Sequence, residues 1–189
     1  MAAELGAHET MELHEVLNGT IDGINLFQLY RPHVNDRELQ TILEKQLQFM
    51  NHEYNNIVET INQHQVNRAT PYRSPKNFSP DYGLKNQSNQ RPNQPSNDLD
   101  DRDISSGMMA CHKNGANMRM SASLEFADPS IRRMVQQCAV NCSEQAYEVW
   151  QYMNKKGYYQ VPTMKDMTTS TVIGSYTRSN DESMGYYQS

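Results

Sequence analysis

The chain has 189 residues, a formal net charge of −5 and a mean hydropathy of −0.84, which predicts one compact domain with polar attachments. No stretch reaches the roughly 18 apolar residues of a membrane span, and the acidic beginning lacks the pattern of a signal sequence, so we expect cytoplasmic synthesis. The basic residues are too sparse for a nucleic-acid-binding arm, and the three cysteines lack the spacing of a secreted disulfide scaffold.

Residues 1–66 are predicted to form a first helical hairpin. Asn35 or Asp36 is expected to cap its second helix, which carries a regular apolar stripe from Leu39 to Ile61. The core stripe expected on its first helix is Leu13, Leu17, Ile21, Ile24, and Phe27 or Gln28.

Residues 67–97 have the composition of a linker, with five prolines, repeated Asn and Gln, and no apolar period. We predict an extended, mostly disordered segment that is long enough to cross the length of a helical bundle. A loop of this length is unusual inside one domain, so it either joins two hairpins of one bundle or separates two units.

Residues 98–157 are predicted to form a second helical hairpin. Asp128 and Pro129 make a strong helix start, and Gly157 is expected to end the same helix. On the preceding helix the expected core positions are Ile104, Met108, Cys111, Gly115, Met118 and Ala122. On the last helix they are Ile131, Val135, Cys138, Cys142, Gln145, Val149 and Tyr152. Residues 158–189, rich in Ser, Thr and Tyr, are predicted to be a flexible tail that promotes association or remains an ordinary terminus.

The two hairpins share a repeated helix. The segments Asp36–Ile61 and Asp128–Met153 align without a gap at an offset of 92 residues. Apolar residues of one copy align with apolar residues of the other, for example Leu43 with Val135. This internal symmetry favours a four-helix bundle in which the linker crosses between the two hairpins.

Part of the second hairpin resembles a known family. The helix start at Asp128 and Pro129, the following Ile131-Arg132-Arg133, and a helix ending in Tyr152-Met153 and Gly157-Tyr158-Tyr159 are similar to the Coat F family of endospore-forming bacteria. The resemblance covers residues 99–160 and, more weakly, the first hairpin. It implies an all-α, ferritin-like four-helix bundle with a structural role in the spore coat and no catalytic residues.

A ferritin-like fold raises the question of a di-iron site, which needs Glu-x-x-His pairs and further carboxylates on facing helices. Neither copy of the repeated helix contains that motif. The inward Glu53 of the first copy aligns with Gln145 of the second, so a di-iron site is not expected. His14 and Glu53 are expected to lie at similar heights in the first hairpin, either as a hydrogen-bonded pair or as a single-metal site.

The three cysteines are a second candidate cluster. Cys138 and Cys142 share a helix face, and Cys111 is expected at the height of Cys142 across the second hairpin. Small residues packed at a close helix contact, a zinc site and an oxidative crosslink are the alternatives left open. No nucleophile motif accompanies these thiols, so thiol catalysis is not expected.

The resemblance to the Coat F family implies a non-enzymatic structural or assembly component of the bacterial spore coat, synthesised in the mother-cell cytoplasm. We expect no cofactor, no nucleic acid and no membrane span. The expected partners are other spore coat proteins, and a homo-oligomer that exchanges hairpins through the long linker is left open. The alternative is a metal- or redox-handling bundle that uses Cys111, Cys138 and Cys142, or His14 and Glu53.

Overall fold

The computed structural model describes residues 5–63, 69–85, 92 and 99–178. Over these residues the regular secondary structure is helical, which confirms the predicted all-α class. The helices are α1 (Ala7–Tyr30), α2 (Arg37–Gln63), α3 (Asp101–Ala122), α4 (Pro129–Lys155) and α5 (Asp166–Gly174).

The predicted helix boundaries depend on short-range capping. One carboxylate oxygen of Asp128 accepts from the backbone N–H groups of Ser130 and Ile131 at 2.7 and 2.9 Å. Asp36 caps α2 in the same way, through the N–H groups of Glu38 and Leu39. Gly157, beyond the end of α4, has a positive φ of 75°, a conformation that glycine adopts without steric cost.

The four long helices pack in a ring, in which α1 and α4 each contact both α2 and α3. At one end Glu9 of α1 accepts from the backbone N–H groups of Ala127 and Asp128. At the other end the backbone N–H of Asn35 donates to Asp101. These contacts make both hairpins antiparallel and require the α2–α3 connection to return along the bundle. The ferritin-like assignment and the four domain boundaries stay predictions.

Residues 69–85, which we call the strap, run alongside α4 in the same direction. Ala69 and Tyr72 of the strap are buried, and the ring of Tyr72 packs edge-on against Phe49 at 4.9 Å between centroids. The extended conformation agrees with the sequence prediction, but this part of the linker is packed on the bundle rather than disordered. Residues 67–68, 86–91 and 93–97 of the predicted linker lie outside the described residues.

The predicted inner faces of α1 and α3 are confirmed only in part. On α1 the predicted Leu13 and Phe27 are buried, together with Glu9, Val16, Thr20 and Gly23, whereas Ile21 is 39% exposed. On α3 the predicted Ile104, Met108 and Ala122 are buried, as are His112 and Arg119, whereas Cys111, Gly115 and Met118 are only half-buried. The expected stripe of α4 is confirmed, because every one of its positions is buried.

The tail also differs from its prediction. Residues 166–174 form α5, a helix without a buried residue, and residues 179–189 lie outside the described residues. In the described part of the chain, none of the helices combines the length and the apolar character needed to cross a membrane.

Candidate functional site

The interior of the bundle contains a layer of polar side chains between two apolar clusters. One cluster surrounds Phe27 and Leu43 and the other surrounds Val16 and Ile57. We call the buried polar residues between them the polar layer; its members are Thr20, Gln46, Glu53, His112, Arg119, Asn141 and Gln145. Burying a polar group costs free energy unless the group is hydrogen-bonded. The hydrogen bonds of these side chains therefore decide which chemistry the polar layer can support.

Arg119 carries the one formal cation of the polar layer, and its residue is only 5% exposed. Its Nη2 donates to the hydroxyl of Thr20 at 2.7 Å, and its Nε is buried without a hydrogen-bond partner. Among the residues that the structure describes, no carboxylate forms an ion pair with it. Burial is the largest influence on the pKa of Arg119 and lowers it, but Cys142, Glu53, Cys138 and Cys111 together leave that pKa above its ordinary value. An arginine side chain is in any case always charged in proteins.

Glu53 is the buried acid nearest to this charge. Its carboxylate accepts from Nδ2 of Asn141 at 2.8 Å. Burial raises the pKa of Glu53, whereas Arg119 and Asn141 oppose the rise. The carboxylate is therefore held by an amide rather than by a direct ion pair.

His112 is a neutral donor in the polar layer. Gln46 donates through Nε2 to the backbone oxygen of Gln145 and to Glu148, which leaves Oε1 of Gln46 as an acceptor. His112 lies 2.9 Å from that oxygen through Nε2, so Nε2 carries the proton. Burial, with a contribution from Arg119, lowers the pKa of His112 to about 3.

Glu148 connects the polar layer to the strap. The hydroxyl of Tyr72 donates to Glu148, and Nζ of Lys45 pairs with the same carboxylate at 2.6 Å. Asn141 makes a second connection, because its Oδ1 accepts from the backbone N–H of Tyr72 at 2.8 Å. The strap is thus held by the same side chains that organise the interior.

The three cysteines are free thiols, with Cys138 and Cys142 buried and Cys111 half-buried. Burial raises the pKa of Cys142 to about 12, although Arg119 opposes the rise. Burial also raises the pKa of Cys111 and of Cys138. Because the thiolate is the nucleophilic form of cysteine, these thiols are poorly suited to nucleophilic chemistry.

The predicted meeting of His14 and Glu53 is wrong. His14 is exposed and lies 3.0 Å from the amide nitrogen of Asn18, through Nε2, whereas Glu53 lies inside the bundle. Leu13 and Val16 occupy the inner face of α1, and each helical residue turns about 100°, so His14 points outward. In the described part of the chain, no group of three or more His, Cys, Asp or Glu side chains is placed to hold a metal ion.

A cavity of about 290 Å³ adjoins the polar layer. Arg119, Glu53 and His112 line it, together with Cys111 and Cys142. Its remaining lining is mostly small or apolar and includes Gly19, Gly23, Leu26, Met50 and Met118.

Sequence reasoning missed Arg119 because an arginine is rarely buried without a partner. The spacing of seven residues that joins the buried Ser105, His112 and Arg119 was not a sufficient signal, because Ile104, Cys111 and Met118 have the same spacing. This spacing marks one face of a helix.

Comparison with known proteins places these helices in context. The model of the Coat F domain matches residues 100–162, which include all of α3 and α4. The chain is also similar to the spore coat protein F-like protein YhcQ of Bacillus subtilis (strain 168). The two are 35% identical over 161 residues, which are 84% of this chain and 74% of the relative.

The fold has a counterpart among solved structures. A crystal structure from Bacillus halodurans C-125, of a protein provisionally named as a spore coat protein, superimposes with a TM-score of 0.62. The match covers 86% of this chain and 96% of that chain, at 16% sequence identity. At this identity the likeness concerns the fold alone.

Proposed function

Because this chain belongs to the Coat F family of spore coat proteins, we propose that it is a non-enzymatic structural or assembly component of the spore coat. The observation that carries the proposal is the relationship to a spore coat protein F-like protein across 84% of the chain. The family membership supports a coat location, and synthesis in the mother cell belongs to the same proposal.

The interior of the bundle supports a role without catalysis. The polar layer uses Gln46, Asn141 and Glu148 in internal hydrogen bonds that hold the strap. The thiols are buried or half-buried, with pKa values raised by burial. A general base or nucleophile needs access to substrate and a pKa near the working pH, and these groups lack that combination.

The surface supports a role in association with other coat proteins. Trp150 stacks on Tyr147 with ring centroids 5.5 Å apart, and Phe78 and Tyr159 contact its ring edge-on. We call these four residues the aromatic patch. Tyr147 and Tyr159 remain substantially exposed, and amphipathic aromatic side chains are favoured in protein interfaces.

Localisation tests the proposal directly. A fluorescent fusion of the full chain is followed through sporulation, and purified spores are then fractionated by coat extraction. We expect a signal that encircles the forespore and recovery of the fusion in the coat extract, with the fluorescent protein alone as control. A diffuse signal together with absence from the extract would contradict a coat role.

The aromatic patch gives a sharper version of the same experiment. Replacing Tyr147 and Tyr159 by serine removes exposed aromatic surface without touching the polar layer. We expect reduced recovery in the coat extract, whereas the matched replacement of exposed Tyr82 by serine leaves recovery unchanged. Equal recovery of both variants would show that the aromatic patch takes no part in assembly.

A further inference from the structure

The outer surfaces of α1 and α4 point away from each other. The two helices occupy opposite corners of the ring, because each of them packs against both α2 and α3. They also run in the same direction, since Glu9 near the start of α1 accepts from the backbone N–H groups just before α4. Partners bound to these two outer surfaces would therefore lie on opposite sides of the molecule.

The outer surface of α1 is acidic. Residues 7–30 contain four carboxylates and no Lys or Arg. Glu15, Asp22 and Leu29 are spaced by seven residues, which places them on one face of the helix, and Met11 lies one turn before Glu15 on that face. All four side chains are exposed, and among the described residues neither Glu15 nor Asp22 has an ion-pair partner. We call these four residues the acidic face.

The opposite surface, formed by α4 and the strap, is basic. Arg133, Val140 and Tyr147 repeat the spacing of seven residues along α4, and all three are exposed. Arg73 and Lys76 of the strap are exposed as well and line a groove beside Val140 and Tyr147. Within the part of the chain that the structure describes, none of the three cations forms an ion pair. We call these five residues the basic face.

We propose that the acidic face of one molecule docks on the basic face of a second copy of this chain. Such a contact joins two different surfaces, so each added copy leaves one face of each kind free. Because the two faces lie on opposite sides of the bundle, the contact produces an open row of molecules rather than a closed dimer. This inference deepens the proposed assembly role, on which it rests, by naming a partner.

The composition of both faces favours this occupant. Opposite charges on two surfaces steer them together and fix how they are placed. Exposed apolar side chains on both faces add contact area between the charged groups. On the acidic face these are Met11 and Leu29, and on the basic face Val140 and Tyr147.

The charges of the two faces also lie at matching heights along the bundle. The contact between Glu9 and the backbone N–H of Asp128 fixes a common level at one end. Glu15 lies six residues beyond Glu9, and Arg133 lies five residues beyond Asp128. At a rise of about 1.5 Å per residue these positions are about 9 and 8 Å from the common level. A neighbour displaced sideways without rotation therefore brings Glu15 level with Arg133.

A second set of charges matches further along the bundle. Ser74 lies between the strap cations Arg73 and Lys76. Its hydroxyl donates to Glu144 at 2.6 Å, so the carboxylate of Glu144 is already engaged within the basic face. At the same rise per residue, Glu144 lies about 24 Å and Asp22 about 20 Å from the common level. In the sideways neighbour Asp22 therefore faces the strap cations.

Sedimentation velocity of the purified full chain tests the proposal without spores, so its failure is distinct from a failure of the coat location. At low salt the weight-average mass should rise above the monomer mass of 21.8 kDa as the protein concentration increases. It should return to that mass at about 0.5 M salt, which screens exposed charges. The net charge of −5 alone would make copies repel one another at low salt, so a general charge effect would have the opposite salt dependence.

Charge reversal on either face should prevent the contact. Glu15→Lys combined with Asp22→Lys gives a chain with two positive faces, and Arg73→Glu combined with Arg133→Glu gives a chain with two negative faces. We expect each double variant to weaken self-association at least about tenfold, because like charges then meet across the contact. All four positions are exposed, and circular dichroism with thermal unfolding checks that both variants fold.

An equimolar mixture of the two double variants should associate again. The lysines on α1 of one variant then meet the glutamates on the basic face of the other, and the two unaltered faces pair with each other. We expect association near the wild-type level at low salt. A general loss of stability in either variant could not produce this recovery.

A matched control reverses two acids on other surfaces. Glu59→Lys combined with Glu125→Lys alters exposed residues and changes the net charge from −5 to −1, as the acidic-face variant does. This control should associate at least as well as the wild-type chain. Since both variants repel their own copies less in general, loss of association in the acidic-face variant alone would identify the face.

Three outcomes would overturn the proposal. A wild-type chain that stays monomeric at low salt up to its highest soluble concentration would exclude a second copy as the occupant and leave both faces to other proteins. Undiminished association in either folded double variant would place the contact elsewhere. A mixture of folded variants that fails to associate would show that the two faces do not pair with each other.

Discussion

The strap and the tail helix α5 both lie outside the four long helices, yet they relate to the bundle in opposite ways. The strap is rich in proline and polar residues, and it buries Ala69 and Tyr72. The tail helix contains Met167, Val172 and Ile173, all of which are exposed. Hydrophobic content alone therefore does not determine which segment packs on this bundle.

The difference lies in the hydrogen-bond partners that α4 offers. Asn141 accepts from the backbone N–H of Tyr72, and Gln151 donates to the backbone oxygen of Pro75. Further along, Asn154 donates to the backbone oxygen of Asp81. A segment without regular structure can pack closely only when its backbone groups find such partners.

The largest effect is expected from Tyr72→Ala, which removes the buried ring of the strap and the hydroxyl that donates to Glu148. Truncation of a buried aromatic side chain costs about 3–5 kcal/mol of the free energy of unfolding. Urea unfolding measures this loss. Tyr82→Ala changes a strap residue that is 64% exposed and should cost less than about 0.5 kcal/mol; similar losses in both variants would contradict the packed strap.

Asn141→Ala is expected to be the next most destabilising change. It leaves the backbone N–H of Tyr72 and the carboxylate of Glu53 without the partner described above. An unsatisfied buried group costs about 1–3 kcal/mol, so the free energy of unfolding should fall by about 2 kcal/mol or more in the same urea assay. Asn55→Ala, on the exposed face of α2, is the control, and an equally small loss in both would show that the strap is held by other contacts.

Tyr72→Phe removes the hydroxyl and keeps the ring. It is expected to lower the free energy of unfolding by about 1–2 kcal/mol at neutral pH. Burial, and then Glu148, raise the pKa of Tyr72, whereas an unfolded tyrosine titrates near about pH 10. Because its pKa is raised by folding, the protonated Tyr72 contributes fully to the free energy of unfolding below about pH 10. This contribution declines as the pH rises further.

The free energy of unfolding, measured between about pH 8 and 11, should therefore fall less steeply in Tyr72→Phe than in the wild-type chain. Other tyrosines with raised pKa values, such as Tyr30 and Tyr158, contribute equally to both curves. Parallel curves would contradict the hydrogen bond between Tyr72 and Glu148.

The smallest effect is expected from removal of α5. A chain that ends after Thr163 keeps the backbone contact between Gly83 and Val161, and all of the described residues that it loses, 164–178, are exposed. Its melting temperature should change by less than about 2 °C, because surface changes are usually within about 0.5 kcal/mol. A larger loss would show that α5 packs on the bundle and would end the contrast with the strap.

The sequence predicted the features that depend on local patterns. The cap at Asp128, the end at Gly157 and the buried stripe of α4 follow from neighbouring residues and a single period. The faces of α1 and α3 were predicted only in part, because Thr20, Gly23 and His112 occupy core positions that apolar residues normally take. Their burial depends on contacts between helices, which no local pattern records.

The cavity and the packing of the strap were beyond sequence reasoning for the same reason. The hydrogen bond between Arg119 and Thr20 joins residues that are 99 positions apart in the chain. The one between Tyr72 and Glu148 joins residues that are 76 positions apart. Side-chain hydrogen bonds over such separations leave no periodic signal. Cys111 and Cys142 do line a common cavity, but charged side chains that the thiol hypothesis did not include line it as well.

The order of the strap and α4 along the chain has a consequence for synthesis. Tyr72 precedes its partners Asn141 and Glu148 by 69 and 76 residues, so it leaves the ribosome before they have been translated. When the strap emerges, Tyr72 can already contact Phe49 of α2, but its hydrogen-bond partners on α4 become available only later. The bundle can therefore be completed only after α4 has been translated.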